Sequence, residues 1–151
     1  MKEFKNVEDI LDFAMNSEQE AVDFYNELAT HAKNEDMKQV FEEFAQEEIG
    51  HKAKIRKIKE EGTYELSKDK IKDMRIGDYM VNVDPTPDMT YQDALVLAMN
   101  KEKAAFRLYM DLSQKTENAE MKELFLSLAR EESKHKLRFE LEYDENVLRE
   151  N

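Results

Sequence analysis

Two short stretches of the chain combine residue types that can hold a metal: Glu47-Glu48-Ile49-Gly50-His51 and, 84 residues later, Glu131-Glu132-Ser133-Lys134-His135. In each, a glutamate (Glu48 or Glu132) stands three residues before a histidine (His51 or His135), which on a helix puts both on one face. Glu18 and Glu102 belong with them. They share the same offset, and each falls on an apolar helical stripe where an apolar residue would be the ordinary choice. Four carboxylates in an apolar interior repel one another and carry a desolvation cost that drives them toward protonation. Two divalent cations would balance the four negative charges. Glu48 and Glu132 are the candidates to bridge them, Glu18 and Glu102 to act as terminal carboxylates, and His51 and His135 to give each metal one nitrogen.

These residues need helices at matched heights, and the chain supplies the pattern twice. Sliding the sequence by 84 pairs Asp9–Lys52 with Asp93–Lys136, and 18 of 44 positions are identical, which reads as an internal repeat of one helical hairpin. A first helix is expected from about Asn6 to Ala32, with Ile10, Ala14, Ala21, Tyr25 and Leu28 as its stripe. The second runs from about Glu35 to Glu61, with Met37, Phe41, Phe44, Ile55 and Ile58, capped by Asn34 and stopped by Gly62. Thr90 with Asp93 opens a third, to about Thr116, with Leu95, Ala98, Ala105, Tyr109 and Leu112 inward. Asn118 caps a fourth that reaches toward Leu148, with Met121, Phe125, Leu128, Phe139 and Tyr143. Glu18 and Glu48 flank the first break equally, as Glu102 and Glu132 flank the second. At about 1.5 Å per residue, all four lie about 22 Å from their turns, roughly mid-bundle.

The link from 62 to 89 is too long for a hairpin turn of about 2–8 residues. It is expected to cross the length of a bundle so that the third helix runs parallel to the second. Within it, Ser67–Met74 can hold a short helix and Asp78–Val83 an extended segment, with Asp84-Pro85-Thr86-Pro87 ending whatever precedes it. The expected fold is all-α, a single domain over 1–151: an up-down-down-up four-helix bundle with hairpins at about 6–61 and 90–148 and a long crossover.

Composition narrows the function classes. The chain has 151 residues, 38% charged, with a formal net charge of -12, 3 Gly and 2 Pro. So few helix breakers disfavour a turn-rich sheet protein, and the acidic balance disfavours nucleic acid or an anionic membrane as partner. No cysteine is present, so any metal must use oxygen and imidazole ligands. The start, Met1-Lys2-Glu3-Phe4, lacks an apolar signal region and no apolar run approaches a membrane span, which makes a cytoplasmic protein the expectation.

Ordinary readings compete with the chemical ones. A lone Glu-x-x-His in an acidic helix is commonly a surface pair; the doubled motif, the matched register and the inward phase together favour the metal. His31, whose counterpart is Lys115, reads as a solvated residue near a helix end, and Glu20 falls on a different face from Glu18. Tyr25 and Tyr109 stand two turns after Glu18 and Glu102. They can pack in the core with the hydroxyl bonded to a carboxylate, or orient a ligand glutamate and supply an electron. Glu42, Glu43 and Glu140 read as solvent surface. One glutamate from each of two helices plus Glu-x-x-His from the other two is the pattern of di-iron or di-manganese carboxylate bundles.

Over about residues 7–148 the chain resembles the ferritin-like superfamily, and within it the rubrerythrin-like di-iron proteins. The resemblance rests on Glu18-Gln19-Glu20-Ala21 through Tyr25, Glu48-Ile49-Gly50-His51, Glu102-Lys103-Ala104-Ala105 through Tyr109, and Glu132-Ser133-Lys134-His135. It implies two iron ions per chain, with manganese or zinc as alternatives, and self-association, a dimer being expected. It also implies an oxidoreductase that oxidises ferrous iron with hydrogen peroxide or oxygen. Non-catalytic metal storage, or an interaction protein with a structural metal pair, is the alternative. Full rubrerythrins add a cysteine-ligated iron domain that delivers electrons, which these residues cannot form, so sustained turnover calls for an external electron donor. They also carry a further glutamate where this chain has Ala105, which makes the ligand set more like the symmetric site of bacterioferritin-type proteins.

Overall fold

The computed structural model describes residues 3–150, with side chains described as far as Val147. Met1, Lys2 and Asn151, which the single-domain expectation includes, lie outside the described residues. Five helices follow one another: α1 (Val7–Thr30), α2 (Glu35–Glu61), a short α3 (Lys68–Lys72), α4 (Tyr91–Lys115) and α5 (Ala119–Glu150). A 3₁₀ turn at Ile76–Tyr79 lies between α3 and α4, and the described residues contain no strand.

The helix starts are fixed by side chains that accept orphan backbone donors. Asn6 accepts the Asp9 N–H at 2.8 Å, Asn34 the Met37 N–H at 2.8 Å, Thr90 the Asp93 N–H at 3.0 Å and Asn118 the Met121 N–H at 3.2 Å. Gly62 ends α2 at φ 63°, a left-handed conformation that glycine adopts without steric cost. α1 stops two residues before the expected Ala32. The His31 N–H tightens onto the Leu28 carbonyl at 3.0 Å, which turns the chain so that Asn34 can cap α2.

α1 packs on α2 and α4 on α5 as two antiparallel hairpins. Two apolar clusters show how the hairpins meet. One joins the start of α1 (Ile10, Leu11), the end of α2 (Ile55, Ile58), the end of α4 (Leu108, Leu112) and the start of α5 (Phe125, Leu128). The other joins the end of α1 (Tyr25, Leu28), the start of α2 (Met37, Phe41), the start of α4 (Leu95, Ala98) and Phe139 of α5. α4 therefore runs antiparallel to α1 and parallel to α2, the up-down-down-up order expected.

The crossover travels the length of α4 from its C-terminal end. Tyr64 donates to the Leu112 carbonyl at 2.7 Å, Lys70 to the Lys115 carbonyl at 2.9 Å, and Tyr79 to Asp111 at 2.6 Å. The extended segment expected from Asp78 is corrected at its start. Asp78 and Tyr79 belong to the 3₁₀ turn, closed by the Asp78 N–H on the Arg75 carbonyl at 3.0 Å, and the buried Tyr79 ring anchors it. Three stripe residues are only partly buried: Phe44, Ala105 and Tyr143. Ala105 borders a cavity. Beside Tyr143 the buried side chain is Glu142, which accepts from the Tyr91 hydroxyl at 2.9 Å and from Asn146.

Candidate metal centre

Between the two apolar clusters lies a polar belt. Glu18, Glu48, His51, Glu102, Glu132 and His135 are each no more than 2% exposed, so all six residues expected from the sequence converge in the interior. α1 contributes Glu18, α4 Glu102, and α2 and α5 the two Glu/His pairs, which put both residues inward because three helical positions return to one face.

Their atoms form two overlapping groups. Glu18, Glu48, His51 and Glu132 bring one ligand atom each within 4.8 Å of one another, and Glu48, Glu102, Glu132 and His135 do the same. Glu48 and Glu132 belong to both, the position of bridging carboxylates. Each of the six side chains keeps one buried polar atom with no hydrogen-bond partner: an oxygen on each glutamate and Nδ1 on each histidine. Buried polar atoms are rarely left so. Six in one place, with carboxylate and imidazole donors, fit a pair of divalent transition metals.

The other ends of these side chains are held. The Tyr25 hydroxyl donates to Glu102 and the Tyr109 hydroxyl to Glu18. Each tyrosine thus serves the glutamate of the other hairpin, because α1 and α4 run antiparallel. Nε2 of His51 meets Glu131, and Nε2 of His135 meets Glu47. A proton on Nε2 leaves the Nδ1 lone pair of a neutral ring pointing inward, where a metal needs it. Nδ1 of His51 lies 2.7 Å from Glu132, and that of His135 lies 3.1 Å from Glu48. Phe44 stacks on the His135 ring at 3.9 Å between centroids, which explains its position off the deepest core.

Glu47 and Glu131 are the functional residues that sequence reasoning passed over. They stand in both copies of the motif, one residue before the inward glutamate. A helix turns such a residue about 100° aside, where it reads as surface; its target is the histidine of the opposite hairpin. By contrast, the His31 side chain is 66% exposed and pairs with Glu27 at 3.2 Å, a solvated role.

Protons occupy the balance that cations would supply. Burial and the charges of Glu102 and Glu18 push the Glu48 carboxyl well above its ordinary value, and burial with Glu102, Glu18 and Glu48 does the same to Glu132. Burial also acts to raise Glu18, but the neighbouring Glu48 and His51 and the hydrogen bond from Tyr109 bring it below its ordinary value. Burial opposes charge on both imidazoles. Glu18 and Glu131 nevertheless lift His51, and Glu102 and Glu47 lift His135. Burial, then the neighbouring carboxylates, hold the Tyr25 and Tyr109 hydroxyls well above 10, as neutral donors.

A cavity of about 340 Å³ reaches the four glutamates from the side opposite the histidines. It opens between α1 and α4 under the crossover, beside Phe13, Ala21, Met80, Val81, Ala105 and Leu108. Glu20, set aside as an inward residue, is exposed and borders it.

The bundle topology with this belt defines a ferritin-like carboxylate–histidine metalloprotein. The chain belongs to the Rubrerythrin family, whose model matches residues 9–143. Among solved structures it is similar to a protein of Thermotoga maritima described as ferritin-like and diiron-carboxylate. That structure superposes with a TM-score of 0.74 at 25% identity, over 97% of this chain and 99% of that one. No match was found among curated proteins. Among the described residues no helix is long and apolar enough to cross a membrane.

Proposed function

We propose that this protein is a di-iron oxidoreductase in which hydrogen peroxide or oxygen oxidises a ferrous pair held by Glu18, Glu48, His51, Glu102, Glu132 and His135. The observation that carries this reading is the set of six orphaned ligand atoms in two groups that share Glu48 and Glu132. Bound iron would supply the two electrons that the oxidant accepts.

The chain's own residues do the rest. Glu48 and Glu132 would give up their protons in exchange for the cations, and the Nδ1 atoms of His51 and His135 would face the pair as ligand atoms. Glu47 and Glu131 hold the imidazoles in the tautomer this requires, and Tyr25 and Tyr109 hold Glu102 and Glu18 by hydroxyls that stay protonated. The apolar clusters on either side keep bulk water off the belt, while the cavity between α1 and α4 leaves the oxidant a path to the glutamates. Electrons for repeated turnover come from a separate donor, and the chain works as a homodimer.

Anaerobic reconstitution with ferrous iron, then stopped-flow mixing with hydrogen peroxide or oxygen, tests the reading. Two irons per chain that oxidise faster than free ferrous iron, with a near-ultraviolet band of a bridged ferric pair, are expected. Oxidation no faster than free iron by either oxidant overturns it.

A further inference from the structure

We propose that the cavity between α1 and α4 admits an uncharged organic hydroperoxide, bound with its peroxide end toward the glutamates and its hydrocarbon part against the apolar wall. This rests on the redox reading above and adds the class of oxidant.

The cavity is far larger than hydrogen peroxide or oxygen needs. At about 340 Å³ it falls in the range of pockets for small organic ligands, roughly 300–1,000 Å³. Two alanines help to make the room: Ala21 and Ala105, each three residues after a buried glutamate, Glu18 and Glu102, and each on the cavity wall. Phe13, Val81 and Leu108 add apolar surface; the buried glutamates and Tyr109 line the inner end, and Asn16, Ser17, Glu20, Asp84 and Lys101 also border the cavity. A ligand with a small polar group and a hydrocarbon part can set the first against the buried glutamates and the second against the apolar residues of the wall.

The charges at the wall argue for a neutral ligand. Lys101, the cation there, lies over the Phe24 ring at 5.6 Å, and Glu20 and Asp84 contribute negative charge. An acid anion would meet more like charge than opposite.

The chemistry balances without a further reactant. Two bound ferrous ions would supply one electron each, becoming ferric, as the O–O bond of the hydroperoxide breaks. Two protons from solvent complete the products, an alcohol and water.

The test uses the full chain and two oxidants, cumene hydroperoxide and hydrogen peroxide. Binding is read separately with 2-phenylpropan-2-ol, the redox-inert product alcohol, by ligand-detected NMR on the protein with and without zinc. Ala105→Leu and Val81→Phe narrow the cavity from two different elements, α4 and the crossover, so misfolding of one leaves the other informative. Saturable alcohol binding is expected, weakened at least tenfold in each folded variant. The ratio of oxidation rates, cumene hydroperoxide over hydrogen peroxide, should also fall at least tenfold. If hydrogen peroxide oxidises the ferrous protein while cumene hydroperoxide does not, or the ratio stays unchanged in the variants, the cavity assignment is overturned and the redox reading stands. If neither oxidant reacts, the redox reading itself fails and takes this inference with it.

Discussion

At the scale of single residues, the histidines depend on carboxylates that touch no metal position. Glu131→Gln should weaken metal binding at the His51 position by about 10- to 100-fold, and Glu47→Gln should do the same at the His135 position. Chelator competition reads each loss, and equal retention in both variants would contradict the role given to these pairs. Glu48→Ala or Glu132→Ala should instead empty both positions, since each carboxylate belongs to both groups. Protons and cations compete for the same atoms, which fixes a pH dependence. In the metal-free protein, Glu48 and Glu132 titrate above their ordinary 4.5 and His51 and His135 above 6.5. As pH rises past 4.5 the unfolded chain sheds carboxyl protons that the fold retains, so stability falls up to the folded values. The imidazole contribution is full below 6.5 and is lost as pH rises through the folded values, which acts in the same direction. Metal binding gains as those protons leave. The increase in melting temperature on adding a divalent metal should therefore grow from pH 5 to pH 8; an increment that shrinks would refute this charge assignment.

At the scale of helices, two glycines make opposite predictions. Gly62 sits at φ 63°, so Gly62→Ala should cost about 1 kcal/mol, a loss of roughly 2–4 °C in melting temperature for a chain of this size. Gly50 lies exposed within α2, with open space where a Cβ would project, so Gly50→Ala should add about 0.5–1 kcal/mol. Thermal unfolding of the two variants side by side checks both signs. The helices were legible because their signals are local: Asn6, Asn34, Thr90 and Asn118 mark the starts and Gly62 a stop. The six inward residues were legible because polar side chains interrupted an apolar period twice, at the same register. Glu47, Glu131 and the cavity were not, because each depends on how one hairpin lies against the other. Likewise Tyr25 and Tyr109 stand two turns from a glutamate on their own helices, yet bond the glutamate of the opposite hairpin. The Asp78–Tyr79 turn was hidden for the same reason, being set by the contact of Tyr79 with Asp111 on α4.

At the scale of the whole molecule, the belt lies between two apolar clusters that each draw on all four long helices. Those clusters have consequences for how the fold opens. Each is a candidate cooperative unit, and the seam between them is the place where stability is least secured while like charges face one another. Amide hydrogen exchange on the metal-free protein should therefore resolve two blocks of different protection, one around Phe125 and one around Phe139. Metal binding should merge them into one, because a pair of cations ties all four helices at the seam. On that expectation the centre would act as a clasp, and the loaded state would be the one in which the bundle opens as a single unit.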